Sequence, residues 1–108
     1  MKRSVRITAA AKRDLEDIHD WVAQHDSPAK ANYVLDRLLA AANGIRVLPG
    51  RGSWPAELPP GLNVDYRQVF FKPYRVIYKV TRTEIVIHVI ADGRRNLQSL
   101  LLQRLTAQ

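Results

Sequence analysis

Apolar residues recur at helical spacing near the start of the chain. The first stripe has intervals of four, three and four residues and comprises Ala11, Leu15, Ile18 and Val22. Charged and polar residues fill the other positions, so the pattern predicts an amphipathic helix. Thr8 is a suitable N-cap for it, because its hydroxyl can accept an unpaired amide hydrogen of the first turn.

A second helical stripe begins after Ser27-Pro28. It comprises Ala31, Leu35, Leu38, Ala42 and Ile45. Serine is a favoured N-cap, and proline fits the first helical position because the amide hydrogen it lacks would have had no partner there. The few residues between the two stripes predict an antiparallel helical hairpin, which Pro49-Gly50 ends.

The segment at residues 49–63 is predicted to be a long loop, since it contains four prolines and three glycines. We expect Trp54 and Leu58 to hold it against the core. Loops of this length are often functional, but a loop that merely covers the core is an equally good interpretation.

The apolar period falls to two after residue 63, which predicts strands. Two alternating strands run over residues 64–71 and 74–80, joined by Lys72-Pro73, and a nearly all-apolar strand follows at residues 84–91. The apolar character of this last strand predicts a central position, buried on both faces. Val5 and Ile7 indicate a short first strand.

A final leucine stripe indicates a helix after these strands. It comprises Leu97, Leu100, Leu101 and Leu105, with Asn96 as the cap. The predicted order is β-α-α-β-β-β-α. We therefore expect one α+β domain over residues 1–108, with an antiparallel-rich sheet packed against the N-terminal helical hairpin and the helices on one sheet face.

Composition restricts the class of protein further. Lys and Arg number 17 against 10 acidic residues, for a net charge of +7, and there is no cysteine. Such a charge favours anionic partners, and the lack of cysteine excludes a disulfide framework and a thiolate metal site. No apolar run is long enough to span a membrane. We expect a cytoplasmic protein without a membrane partner, metal or other cofactor.

Cations concentrate in the second half of the chain and are the candidate contacts for an anionic target. Arg67, Arg75 and Lys79 lie on alternating strands and are predicted to share one exposed sheet face. Arg94 and Arg95 follow the last strand, where a turn would display them. The alternatives are a solvated outer face and a simple Arg94–Asp92 pair. Asp14, Asp17 and Asp20 are interpreted as solvated helix-surface acids.

A nuclease site is a further possibility. Metal-free RNA cleavage needs a general base, a general acid and a cation. His88, Tyr78 or Tyr66, and Arg75 have the required chemistry. However, His88 lies among apolar strand residues, which favours a buried core histidine.

Taken in order, these segments resemble the RelE/ParE toxin superfamily of type II toxin–antitoxin modules. The matching pieces are "AAAKRDLEDIHDWVA", the Pro-Gly break after the second helix, "YRVIYKV" and "EIVIHVIADGRRNLQSLLLQRL". The resemblance covers nearly the whole chain. It implies a β-α-α-β-β-β core with a C-terminal helix, in agreement with the predicted order.

The resemblance implies one of two activities. RelE-like members cut messenger RNA on the ribosome with a C-terminal Tyr or His-Tyr, but no Tyr or His follows His88 in this sequence. The "GRRN" step before a leucine-rich helix is similar to the ParE-like branch, which poisons DNA gyrase by binding. The resemblance therefore implies a gyrase-binding toxin, with a ribosome-dependent endoribonuclease and an inactive binding module of the same fold as alternatives.

A cognate antitoxin is the second implication of the resemblance, with a DNA-binding domain and a disordered tail that wraps the toxin. An acidic tail would suit a domain of net charge +7. The candidate contacts form a predicted exposed apolar groove: Trp21, Val22, Tyr33 and Leu38. A core position is the alternative for these residues, because a stripe at helical spacing is more often buried.

Overall fold

The structure, a computed structural model, describes residues 3–106. Its elements are β1 (Ser4–Ile7), α1 (Ala9–His25), α2 (Pro28–Val47), a 3-10 turn (Pro49–Arg51), β2 (Asp65–Phe71), β3 (Tyr74–Val80), β4 (Glu84–Asp92) and α3 (Gln98–Thr106). The strands form one mixed sheet in the order β1-β4-β3-β2. The α+β class and the predicted order of elements are confirmed.

Both N-terminal helices begin where the sequence predicts. The Thr8 hydroxyl accepts a hydrogen bond from the Ala11 amide at 3.1 Å, and the Ser27 hydroxyl accepts one from the Lys30 amide at 3.0 Å. Pro28 is the first residue of α2. The short joint folds α1 and α2 against each other. The predicted helical hairpin is therefore confirmed.

β4 lies inside the sheet, as its apolar sequence predicts. It pairs with β3 in antiparallel orientation on one side and with β1 in parallel orientation on the other. β1 is short and reaches only Glu84–Ile87 of β4. Beyond Ile87, this side of β4 is left to side chains from the helices.

Apolar residues cover both faces of the sheet. The α1–α2 hairpin packs on one face, here called the first face, around Val76, Tyr78 and Ile87. On the opposite, second face, Leu97 and Leu101 of the C-terminal segment pack with Ile77, Val89 and other apolar residues. The expectation that all helices pack on one face is therefore wrong for α3. Its leucines bury apolar area on the face that the hairpin leaves open.

The loop at residues 52–64 also lies on the second face. Leu58 is buried there, and the Trp54 indole N–H donates to the Leu58 carbonyl at 3.1 Å. Ser53 exchanges two backbone hydrogen bonds with Gln68 at the outer edge of β2. The interpretation of this loop as a cover held by Leu58 is confirmed.

The helices within residues 3–106 are those of a protein without a helical membrane span. None of them is both long enough and apolar enough to cross a bilayer.

Candidate functional site

The turn after β4 displays the two adjacent arginines. Asp92 folds this turn, because its carboxylate accepts from the Arg94 amide and the Arg94 Nε, each at 2.9 Å, and from Nη2 at 2.6 Å. The Arg94 guanidinium lowers the pKa of Asp92 to about 2. The Arg94 side chain remains 81% exposed, and Arg95 is exposed as well. The pairing with Asp92 therefore orients Arg94 without covering it.

Gly93 seats this turn directly on the side chain of Arg75. Its amide donates to the Pro73 carbonyl at 2.7 Å. A Cβ at position 93 would lie 2.9 Å from Cδ of Arg75, which is too close for any side chain. Arg75 thus supports the turn that carries Arg94 and Arg95.

Arg75 itself is buried, with 7% of its surface exposed. Its guanidinium donates to both carboxylate oxygens of Glu57, at 2.6 and 2.7 Å, and also to the Gln68 side-chain oxygen. This hydrogen bonding lowers the pKa of Glu57. The prediction of Arg75 as an accessible target contact is wrong, because its donors are all directed into the fold.

Arg67 lies on the other face of the sheet from Arg75. In the register of β2 and β3, Arg67 is opposite Tyr78, and directly opposite residues share a face. Its Nη1 donates to the Gly50 and Gly52 carbonyls at 2.9 Å, and its Nε donates to Asp65. The predicted grouping of Arg67 with Arg75 is therefore wrong.

Lys79 shares the second face with Arg75 but is half-buried there. It is opposite Tyr66 on β2 and Val86 on β4. Since α3 and the loop cover much of this face, the three strand cations form no common exposed surface. Of the five predicted target contacts, Arg94 and Arg95 remain fully accessible.

A cleft of about 430 Å³ opens between α1 and the 92–95 turn. Arg94 and Arg95 line it from the turn, and Asp17 lines it from α1. Its apolar lining comes from both sides and includes Ile18, Trp21, Tyr74 and Ile90. We call this space the turn cleft. It combines an apolar lining with cations on one side only.

The predicted nuclease residues do not converge. Tyr78 is on the first face, where its hydroxyl donates to the Pro49 carbonyl at 2.9 Å and burial raises its pKa. His88 is buried beside Tyr66, and burial together with nearby positive charges lowers its pKa to about 4. Because Arg75 is bound to Glu57, the set of Arg75, His88 and Tyr78 is not assembled. The interpretation of His88 as a core histidine is confirmed.

Two of the four residues in the predicted apolar groove are exposed. Trp21 is 59% exposed and Tyr33 is 52% exposed. Val22 and Leu38 are 5% and 1% exposed, so their prediction as surface contacts is wrong. Their place in the helical stripe explains this outcome, since the stripe faces the sheet. Trp21 and Tyr33 stay predicted contacts.

Asp14 links three elements of the fold, so its interpretation as a solvated acid is wrong. Its carboxylate accepts from the Ile90 amide at 3.0 Å and from both terminal nitrogens of Arg104, at 3.0 and 2.8 Å. Arg104 also donates to the His88 carbonyl at 2.9 Å. These side chains satisfy backbone groups of β4 beyond the end of β1. No pattern in the sequence indicates this pair, which is 90 residues apart.

The described part of the chain also lacks the side-chain clusters that hold metals. Within residues 3–106, no group of three or more His, Cys, Asp or Glu side chains is placed to hold a metal ion.

Comparisons with known proteins agree on one family. The sequence profile of the family described as "ParE toxin of type II toxin-antitoxin system, parDE" matches residues 5–97. Toxin ParE3 of Caulobacter vibrioides is 30% identical over 101 residues, which is 94% of this chain and 96% of the relative. A solved structure titled "Chromosomal ParDE TA system from P. aeruginosa" has the same fold, with a TM-score of 0.71 and 22% identity over 84% of this chain and 96% of that one.

Proposed function

The chain belongs to the ParE toxin family of type II toxin–antitoxin systems, and from that premise we propose that it inhibits DNA gyrase by binding, without chemistry of its own. A cognate antitoxin neutralises it. Both partners are cytoplasmic in this proposal, and Arg94 and Arg95 provide the main contacts to the gyrase complex.

One observation carries the proposal. The two arginines of the 92–95 turn are exposed beside an open cleft, whereas Arg75 and Tyr78 of the nuclease set make internal bonds on opposite sheet faces. Binding needs an accessible surface, and the turn supplies one. General acid–base cleavage needs its groups within hydrogen-bond reach of one substrate, and this set does not meet that condition.

The turn is suited to an anionic partner such as the DNA held by gyrase or an acidic protein surface. Arginine binds phosphate and carboxylate through two parallel hydrogen bonds. The bonds from Asp92 and the support from Arg75 hold the turn in place, so less side-chain and backbone entropy is lost on binding.

A gyrase assay tests the proposal. Purified protein is added to gyrase, ATP and relaxed plasmid, and the products are separated after detergent and protease treatment. We expect supercoiling to fall with dose and linear DNA to accumulate. Unaffected gyrase, together with cleavage of messenger RNA on purified ribosomes, would instead support the endoribonuclease alternative and refute this proposal.

Paired double variants test the role of the turn. Arg94→Ala with Arg95→Ala should raise the concentration needed for half-inhibition at least tenfold, because truncating an arginine that anchors an interface commonly costs about 1 kcal/mol or more. Arg46→Ala with Arg82→Ala removes the same charge from exposed positions on α2 and the β3–β4 turn. This control should change potency less than twofold. Equal effects from the two pairs would point to net charge and contradict a specific role for the turn.

A further inference from the structure

The turn cleft brings together residues that the sequence assigns to different partners. Trp21 is a predicted antitoxin contact and Arg94 and Arg95 are predicted target contacts, yet all three line one cleft. We propose that this cleft docks an extended acidic segment of the antitoxin, which places one large apolar side chain on Trp21 and one carboxylate against Arg95. The proposal rests on the proposed function, which supplies the antitoxin as partner.

The apolar part of the cleft is prepared for a large side chain. Trp21 is 59% exposed although it lies on the helix that packs on the sheet. Its ring stacks on the His25 imidazole with a centroid distance of 4.1 Å and an angle of 12°, and His25 in turn bonds to the Trp21 carbonyl. A ring held in this way loses little freedom when a partner covers it. Exposed Trp, Tyr and Arg are the residues that dominate protein interfaces, and the cleft contains all three.

The charges of the cleft determine how a segment would lie in it. Arg94 pairs with Asp92, whereas the six ion pairs found within residues 3–106 do not include Arg95. Asp17 lines the cleft from α1. A carboxylate of the segment is therefore attracted to the turn and repelled by α1. The net charge of +7 further favours an acidic segment over a basic one.

This placement explains how binding would neutralise the toxin. A segment bound to Trp21 and Arg95 covers the arginines that contact the target in the proposed function. The antitoxin would then block the target contact directly, with no rearrangement of the sheet. Tyr33 does not line the turn cleft, and its ring contacts Phe71 on another part of the surface.

Tryptophan fluorescence tests the occupancy of the cleft. The chain has two tryptophans, so a Trp54→Phe variant reports on Trp21 alone. The probe is the purified product of the reading frame next to this gene. We expect it to shift Trp21 emission to shorter wavelength and to reduce iodide quenching at least twofold. Calorimetry with the unmodified toxin measures binding independently of the reporter.

The outcomes of this experiment separate two failures. If calorimetry shows tight binding but Trp21 emission and quenching stay the same, the docking site is wrong and the proposed function stands. If calorimetry shows no binding, the proposed partner is wrong, and the docking site that depends on it fails as well.

Matched variants test the two anchors. Arg95→Glu should weaken binding of the same probe at least tenfold, whereas Arg82→Glu, the same reversal at the far end of β4, should weaken it less than threefold. Trp21→Ala should also cost at least tenfold, and Phe70→Ala removes an aromatic of similar exposure on β2 as its control. Equal losses within either pair would overturn the proposal. Self-association of the toxin that Trp21→Ala abolishes would assign the cleft to a second copy and overturn it too.

Discussion

The arginines of this protein fall into two groups that differ in what surrounds them. Arg75 and Arg104 are enclosed, and each is bound to a carboxylate and to another polar group of the fold. Arg94 and Arg95 stand on a turn in solvent. All four have the same chemistry, so the difference lies only in their position. It indicates that the enclosed pair maintains the fold and the exposed pair is available to a partner.

Breaking the Asp14–Arg104 pair should have the largest effect. Asp14→Ala leaves the enclosed Arg104 guanidinium without its carboxylate and the Ile90 amide without its acceptor. Removal of one partner from such a pair destabilises a protein by about 3 kcal/mol. Urea denaturation should show a loss of this size. Asp17→Ala, an exposed acid on the same helix, should change the free energy of unfolding by less than about 0.5 kcal/mol. Equal losses would show that Asp14 is only a surface acid.

The Arg75–Glu57 pair should give a somewhat smaller loss that depends on pH. Glu57→Gln keeps the shape of the side chain but leaves the buried guanidinium uncompensated, which should cost about 2 kcal/mol at pH 7. Because Arg75 lowers the pKa of Glu57 in the folded state, the pair stabilises the protein above the ordinary pKa of glutamate. That stabilisation is lost as pH falls through the lower folded-state pKa.

The measurement is the free energy of unfolding of both proteins from pH 7 down to pH 3. The difference between wild type and Glu57→Gln should shrink toward the acid end, since the wild-type carboxyl becomes protonated there. A difference that stays constant over this range would contradict a charged pair.

The exposed pair should contribute least to stability. Arg94→Ala with Arg95→Ala removes one solvent-exposed ion pair and one cation that makes no ion pair within the described residues, and exposed ion pairs are worth about 0–1 kcal/mol. Thermal denaturation should place this double variant within a few degrees of wild type. A large loss of stability would show that the turn is structural and would weaken its assignment to a partner.

Local patterns predict the elements of the fold well. Thr8 and Ser27-Pro28 act through neighbours three residues away, so capping can be read directly from the sequence. The apolar run of β4 requires burial on both faces, and the sheet has no other place for such a strand. The position of α3 does not follow from the sequence, because a leucine stripe shows that a helix packs, but not on which face.

The faces of the strand cations are also predictable, but from a different signal. Lys72-Pro73 is a two-residue connection between β2 and β3, so Phe71 is opposite Tyr74 and Arg67 is opposite Tyr78. This register places Arg67 and Arg75 on opposite faces. Alternation within each strand is not enough, because it leaves the relative parity of the two strands open.

The enclosing partners of the arginines could not be predicted. Glu57 comes from an irregular loop without a period, and Asp14 meets Arg104 across 90 residues of chain. Such contacts depend on tertiary packing, and a single sequence carries no local sign of them.

The pairing of β1 with β4 has a consequence for synthesis. Ser4 meets Glu84, so the first strand waits for a partner that the ribosome makes 80 residues later. Contacts of such high sequence separation form late in folding. A partially translated chain lacks the middle of its sheet and the supported turn that follows. The protein would therefore become harmful only after residues 84–95 have been made, which delays poisoning until the whole fold can close at once.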